Sequence, residues 1–189
     1  PCEFKSRRPH LMYSGLTAMK KKSVAVVIVS NGPGELATWV SPVVDELQKI
    51  NESTYKDKKL NIALRLVLVP CPNATGKEFI VANSWNKFEL ITKSKIFWKL
   101  LIRPHSFADW PNKGVVIFLG GDQLWSLLLA KRLGYQNIAY AEWISRWPHW
   151  TNEIAAMNIK VKKLIPKRYQ FKCQIIGDLM ADIKLNSEI

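Results

Sequence analysis

The sequence predicts an α/β domain, a Rossmann-like parallel sheet with helices on both faces. Continuous apolar runs at 24–30, 62–69 and 114–119 are short, bounded by turn residues and rich in β-branched side chains, as strands buried on both faces require. Segments with apolar residues at helical spacing alternate with these runs, and glycine turns follow the strands. Parallel strands joined by crossover helices satisfy that alternation.

In chain order, the run at 24–30 leads through a glycine turn into Leu36, Trp39, Val40, Val43, Val44, Leu47 and Ile50, which share one helical face. Ser41-Pro42 inside this pattern is either a cap with proline in the first turn or a kink in a longer helix. Residues 51–59 read as a polar surface loop. The second strand, 62–69, is stopped by Pro70-Cys71-Pro72; a short helix is expected over 76–82 and a weaker strand over 88–91.

Strand 114–119 is followed by Gly120-Gly121-Asp122, a helix over about 124–133, and Gly134 as its C-terminal cap. The next strand is 138–141. Val161 to Ile165 is a further apolar run of the strand type, ended by Pro166, and the last run, 171–176, precedes a glycine turn.

The chain has 189 residues, which suits one large domain with its own core and is short for two nucleotide-binding domains. Residues 1–18 carry Arg7-Arg8-Pro9 without periodicity or a signal-peptide core, and read as a disordered extension. Met19 and three lysines resemble a natural start, so the domain is expected over 19–182, with 183–189 opening an interdomain linker. The extension carries a net +2, so the domain keeps +11 of the total +13.

Such a charge implies an anionic partner: nucleic acid, an anionic lipid surface or a phosphorylated substrate. No RNA-binding sheet motif, zinc-finger spacing or helix-turn-helix pattern is legible, which makes nucleic acid the less favoured partner. No window reaches the unbroken apolar length of a membrane span. Cys2, Cys71 and Cys173 are odd in number and widely spaced, which points to a reducing compartment and a cytoplasmic location.

Ligands of open parallel sheets bind beyond the carboxyl ends of the strands, so the loops after the strands carry the candidate chemistry. In Ser30-Asn31-Gly32-Pro33-Gly34-Glu35, Gly32 and Gly34 allow backbone near a ligand, with Asn31 and Glu35 beside them. The competing reading is a tight turn that needs positive φ. Gly121-Asp122 places a carboxylate where a general base is needed, although by spacing alone the cap of the following helix is the favoured reading of Asp122.

The loop at 141–150 brings Glu142, Arg146, Trp143, Trp147, His149 and Trp150 together. It suits either sugar stacking or ordinary packing over the sheet. His149 has only His10 and His105 as companions, at no metal-ligand spacing, so no metal is expected. Over 94–103, Lys95, Lys99 and Arg103 share a helical face opposite Ile96, Phe97, Leu100 and Leu101, with Trp98 among them. A basic amphipathic helix of this kind lies either on an anionic membrane or on the domain's own core.

The segment Ile176-Gly177-x-x-Met180-Ala181-Asp182 resembles the joint between the halves of the lipid-A-disaccharide synthase family, which are two-domain GT-B glycosyltransferases. The resemblance runs in order along the chain. Residues 29–47 are similar to the family's opening strand, turn, acidic residue and helix, with Gly34-Glu35 where the family has glycine and aspartate. Asn31-Gly32-Pro33 replaces the usual Gly-Glu-x-Ser order. Residues 94–103 fall where the family has a segment linked to lipid contact. Gly121-Asp122, the helix to Gly134, and Ile138-Ala139-Tyr140 track its catalytic aspartate, helix and Ile-x-Tyr. Trp147 and Trp150 resemble a tryptophan pair, with Ala141-Glu142 replacing the family's Ser-Pro.

This resemblance implies the amino-terminal, acceptor-binding half of an inverting enzyme. Such an enzyme joins an acylated glucosamine from a UDP donor to an acylated glucosamine phosphate, without a metal or cofactor. Asp122 is then the catalytic base, with Glu35 in reserve. Substrate contacts fall on Asn31, Gly32, Gly34, Gly121, Glu142, Arg146 and Trp147, and membrane contacts on Lys95, Phe97, Trp98, Lys99 and Arg103. The partners implied are a lipid-linked or phosphorylated sugar acceptor, the anionic inner membrane face and a carboxyl-terminal domain that holds most of the UDP-sugar. Alone, the chain is expected to be inactive. The alternative is a non-catalytic Rossmann-like module for an anionic ligand or nucleic acid.

Overall fold

A computed structural model describes residues 22–58, 60–72 and 74–182. The expected extension over 1–18, the start at Met19 and the linker at 183–189 lie outside the described residues. Seven strands form one all-parallel sheet: β1 (Lys22–Ser30), β2 (Leu60–Leu68), β3 (Leu90–Thr92), β4 (Gly114–Phe118), β5 (Gln136–Ala141), β6 (Glu153–Ala156) and β7 (Cys173–Ile175), in the order β3-β2-β1-β4-β5-β6-β7. The Rossmann-like α/β architecture read from the sequence is therefore present. Strand order reverses between β1 and β4, and that reversal opens a crevice at their carboxyl ends.

The helices divide between the two faces because strand side chains alternate. Val26 and Ile28 of β1 pack under Val40 and Val44 and under Ala82 of α3 (Glu78–Ser84). Val27 and Val29 pack under Phe97 and Leu100 of α4 (Phe97–Ile102) and Leu129 of α5 (Gln123–Leu133). In-register neighbours carry the second face across the sheet, from Val29 to Phe118, Ala139 and Ile154. Val161 and Ile165, in and just beyond α6 (Ile159–Leu164), close over it there.

The chain leaves β1 through α1 (Pro33–Glu35), a π-helical turn at Leu36–Val40, and α2 (Ser41–Lys58). Pro42 has no N–H and its ring crowds the carbonyl four residues back, so the helix widens and the Ser41 N–H bonds to Leu36 O instead. The Ser41-Pro42 pattern is thus a distortion within a longer helix. Trp39 lies within the widened turn. Gly134 caps α5 with φ 70°, as its position predicts.

Four local readings are corrected, the first being the surface loop expected over 51–59, where residues 51–58 instead continue α2 to Lys58. The run at 161–165 is not a strand: the Asn158 side chain accepts hydrogen bonds from the Lys160 and Val161 N–H groups and starts α6 there. The preceding strand, β6, has too few β-branched residues to stand out in the sequence. The amphipathic segment at 94–103 is split into a 3-10 turn (Ser94–Ile96) and α4, which ends before Arg103. Phe97 is fully buried against the sheet and Trp125, so it is a core residue and not a membrane contact. Among the described residues, no helix is long and apolar enough to cross a membrane.

Candidate functional site at the strand switch point

The loops that follow β1, β4 and β5 converge on a pocket of about 280 Å³ at the switch point. From the first come Glu35 and, one turn later, Trp39; from the second Gly120, Gly121 and Gln123; from the third Glu142, Trp143, Ile144 and Arg146. Phe118 and Tyr140 form the apolar floor.

The first two loops are knitted together at the strand ends. Leu119 N–H donates to Val29 O, Val69 N–H donates to Ser30 O, and the buried Ser30 hydroxyl lies 3.5 Å from Leu119 O. Gly120 and Gly121 have φ 150° and 89°, a region side-chain-bearing residues rarely adopt. Each also faces a neighbour that a methyl group would strike. A Cβ at Gly120 would stand 2.9 Å from Glu35 Cγ, and one at Gly121 would stand 2.8 Å from Val69 Cγ2 and 3.4 Å from Asn31 Cβ. The glycines thus let the first loop's Asn31 and Glu35 close onto the second.

Gln123 staples the third loop. Its Nε2 donates to Ile144 O at 3.0 Å and its Oε1 accepts from Arg146 N at 2.8 Å, while the side chain is almost fully buried. This holds the Trp143 and Ile144 side chains outward over the pocket, both more than half exposed. Asp122 caps α5, its Oδ1 accepting from Leu124 N at 2.9 Å, and its Oδ2 lies 3.8 Å from Arg146 Nη1. The cap leaves one carboxylate oxygen at the crevice mouth, beside a cation.

Trp39 stands edge-on to Tyr140 at 5.6 Å, and its indole Nε1 is buried without a hydrogen-bond partner. Burial pushes the Tyr140 phenol up, against a backbone hydrogen bond from Leu179 that works the other way. That contact, Leu179 N to the Tyr140 hydroxyl at 3.5 Å, ties the segment at 176–182 to the pocket floor. Leu179 also packs in the same core cluster as Trp39.

Of the residues singled out in the sequence, Glu35, Gly121, Glu142 and Arg146 line the pocket. Asn31 and Gly32 form the layer behind it: Asn31 is buried with an unpartnered Oδ1, and a Cβ at Gly32 would meet Glu35 Oε2. Asp122 stands at the rim. Gly34 is exposed, with nothing within 4 Å of a Cβ placed there. Trp147 is turned away from the pocket and stacks on Trp150, ring centroids 5.2 Å apart. Sequence reasoning missed Gln123, Trp39, Phe118 and Tyr140 as site residues. For Gln123 a signal existed, an amide directly after the glycine-aspartate turn. Trp39 and Phe118 were absorbed into core patterns.

Two carboxylates, a guanidinium, an unpaired indole donor and aromatic walls make a pocket suited to a polyhydroxylated ligand. Carboxylates accept hydrogen bonds from hydroxyl groups, aromatic faces take the apolar face of a ring, and arginine donates to the oxygens of a phosphate. Among the described residues no group of three His, Cys, Asp or Glu side chains is arranged to hold a metal ion.

No family model matches the sequence, and no curated protein matches it. Among solved structures the chain is similar to MnaA of S. aureus, solved with UDP, with a TM-score of 0.53 and 11% identity over 89% of this chain and 49% of that one. The chain thus spans about half the length of that protein. At this identity the likeness is one of fold.

Proposed function

We propose that this domain is the acceptor-binding half of an inverting UDP-sugar glycosyltransferase, akin to the enzymes that join acylated glucosamine units in glycolipid synthesis. The observation that carries the reading is the convergence of Glu35, Glu142 and Arg146 with Trp39 and Tyr140 at the switch point. The likeness in fold to a protein solved with UDP is consistent with it. A second domain holds most of the nucleotide-sugar.

In this mechanism the acceptor's ring hydroxyls bond to Glu35 and Glu142, and its phosphate meets Arg146. The attacking hydroxyl forms a bond to the donor's anomeric carbon as the bond to the UDP oxygen breaks, with inversion and without a metal. Asp122 takes the hydroxyl proton on Oδ2, while Oδ1 continues to cap α5. Asp122→Asn tests this assignment, because asparagine keeps the cap and cannot accept the proton. With the donor-binding domain supplied, kcat is expected to fall about a hundredfold with little change in melting temperature. Unchanged turnover would move the base to Glu35 or Glu142.

A separate observation supports attachment to an anionic membrane. Trp98 and Ile102 are 50% and 62% exposed, with exposed Lys95 in the preceding turn, Lys99 in α4 and Arg103 just beyond it. Arg132 fixes the end of that helix through hydrogen bonds to the Leu101 and Ile102 carbonyls. Aromatic and aliphatic anchors ringed by cations suit a lipid headgroup layer.

A further inference from the structure

The two helix layers differ sharply in charge. In sequence, α2 and α3 carry Asp45, Glu46, Glu52, Asp57 and Glu78 against three lysines. Across the sheet, the segments at 94–106, 123–133 and 159–172 contain no aspartate or glutamate and eleven lysines and arginines. Those segments are α4, α5, α6 and the 3-10 turn at Lys167–Lys172, and register places all three helices over one face of the sheet.

The far end of this layer has its own apolar anchors. Ile159, Leu164 and Phe171 are 51%, 65% and 84% exposed, and Lys160, Lys163, Lys167 and Arg168 stand between them. The segment is pinned to the sheet edge. Lys162 Nζ donates to Cys173 O at 2.8 Å, Lys172 Nζ donates to Thr151 O, and Gln170 Nε2 donates to Ile165 O at 2.8 Å. Exposed apolar side chains on a braced scaffold among cations are not solvated loop residues; they are presented.

We infer that the segment at 159–171 is a second lipid-contacting site, which together with α4 seats the whole α4–α5–α6 layer on an anionic bilayer surface. The inference rests on the reading of α4 as a lipid contact and extends it to the opposite end of the layer. Charge complementarity selects an anionic partner, and the exposed aliphatic side chains Ile102, Ile159 and Leu164, which offer no stacking surface to a base, favour an anionic bilayer over a nucleic acid. Two attachment points on one rigid face also fix orientation. With that layer seated on the bilayer the strands run parallel to the membrane, so the crevice at their carboxyl ends opens along the surface.

The test is vesicle sedimentation with phosphatidylcholine alone and with phosphatidylcholine mixed with phosphatidylglycerol. Three variants are compared: Lys160→Glu/Lys163→Glu/Lys167→Glu, Leu164→Ser/Phe171→Ser, and Lys95→Glu/Lys99→Glu. All of these side chains except Leu164 and Phe171 are exposed charges, and melting temperatures verify that each variant is folded. Reversal at 160, 163 and 167 is expected to weaken binding to the anionic vesicles by at least about tenfold, with a smaller loss for the serine pair. If both far-end variants bind like the wild type while the α4 variant is released, the second site is refuted and the α4 reading stands. If only the α4 variant keeps wild-type binding, the α4 reading fails and the far-end segment carries attachment by itself. Loss of single-stranded DNA binding in the triple variant, with vesicle binding intact, would overturn the inference in favour of a nucleic acid.

Discussion

Glu35 lies against Gly120 so closely that a Cβ on the glycine would stand 2.9 Å from Glu35 Cγ. The glycine's φ of 150° and this contact have the same consequence: the loops after β1 and β4 meet only if position 120 has no side chain. A Gly120→Ala variant is expected to lose about 1 to 3 kcal/mol of stability from backbone strain and to displace Glu35 from the pocket wall. Urea unfolding gives the first quantity. Wild-type stability would mean that the crevice tolerates a wider gap than its packing implies.

Gln123 offers a sharper separation of folding from function. Gln123→Leu removes the hydrogen bonds to Ile144 O and Arg146 N, at a cost of roughly 1 kcal/mol each, and frees the loop that carries Glu142 and Arg146. Affinity for a phosphorylated amino sugar is expected to fall more than stability does. Calorimetric titration and a melting curve on the same variant measure both.

The cap at Asp122 predicts an order among substitutions. Asp122→Ala removes the acceptor for Leu124 N–H and is expected to cost about 0.5 to 2 kcal/mol, whereas Asp122→Asn costs a few tenths. Equal stability of the two variants in chemical denaturation would show that the cap contributes nothing.

A pH effect follows from Glu78. Burial raises its pKa, but hydrogen bonds from its own N–H, from the Thr75 N–H and hydroxyl and from the Gly76 N–H outweigh that and hold it below the ordinary 4.5. A depressed folded-state pKa means the stabilisation is full above the unfolded value and is lost as pH falls through the folded one. The wild type is therefore expected to lose stability below about pH 4.5 more steeply than Glu78→Gln. Parallel acid-titration curves would contradict this.

The sheet was legible because strands buried on both faces leave continuous apolar runs, as at 24–30 and 62–69, and the switch-point rule pointed to the loops that converge on the pocket. What was not legible depends on contacts between distant residues. Nothing around Trp39 or Tyr140 announces that their rings meet edge-on, and Trp39 read as one more apolar helix position. The short run Val161 to Ile165 suited strand and helix equally, and the Asn158 cap decided it. Phe97 was placed among the membrane contacts through the family resemblance, yet the apolar face it shares with Leu100 packs on the sheet. Trp147 sits in the expected loop, yet its stacking on Trp150 takes it away from the pocket.

The central claim is that the switch-point crevice binds the sugar acceptor, and the unpartnered Trp39 indole gives a direct probe of it. Titration of the ¹⁵N-labelled chain with N-acetylglucosamine phosphate is expected to shift the Trp39 indole N–H together with the amides of Gly120, Gly121 and Gln123. Glu35→Gln should weaken that response. Shifts absent from these groups, or confined to residues away from the crevice, would contradict the account.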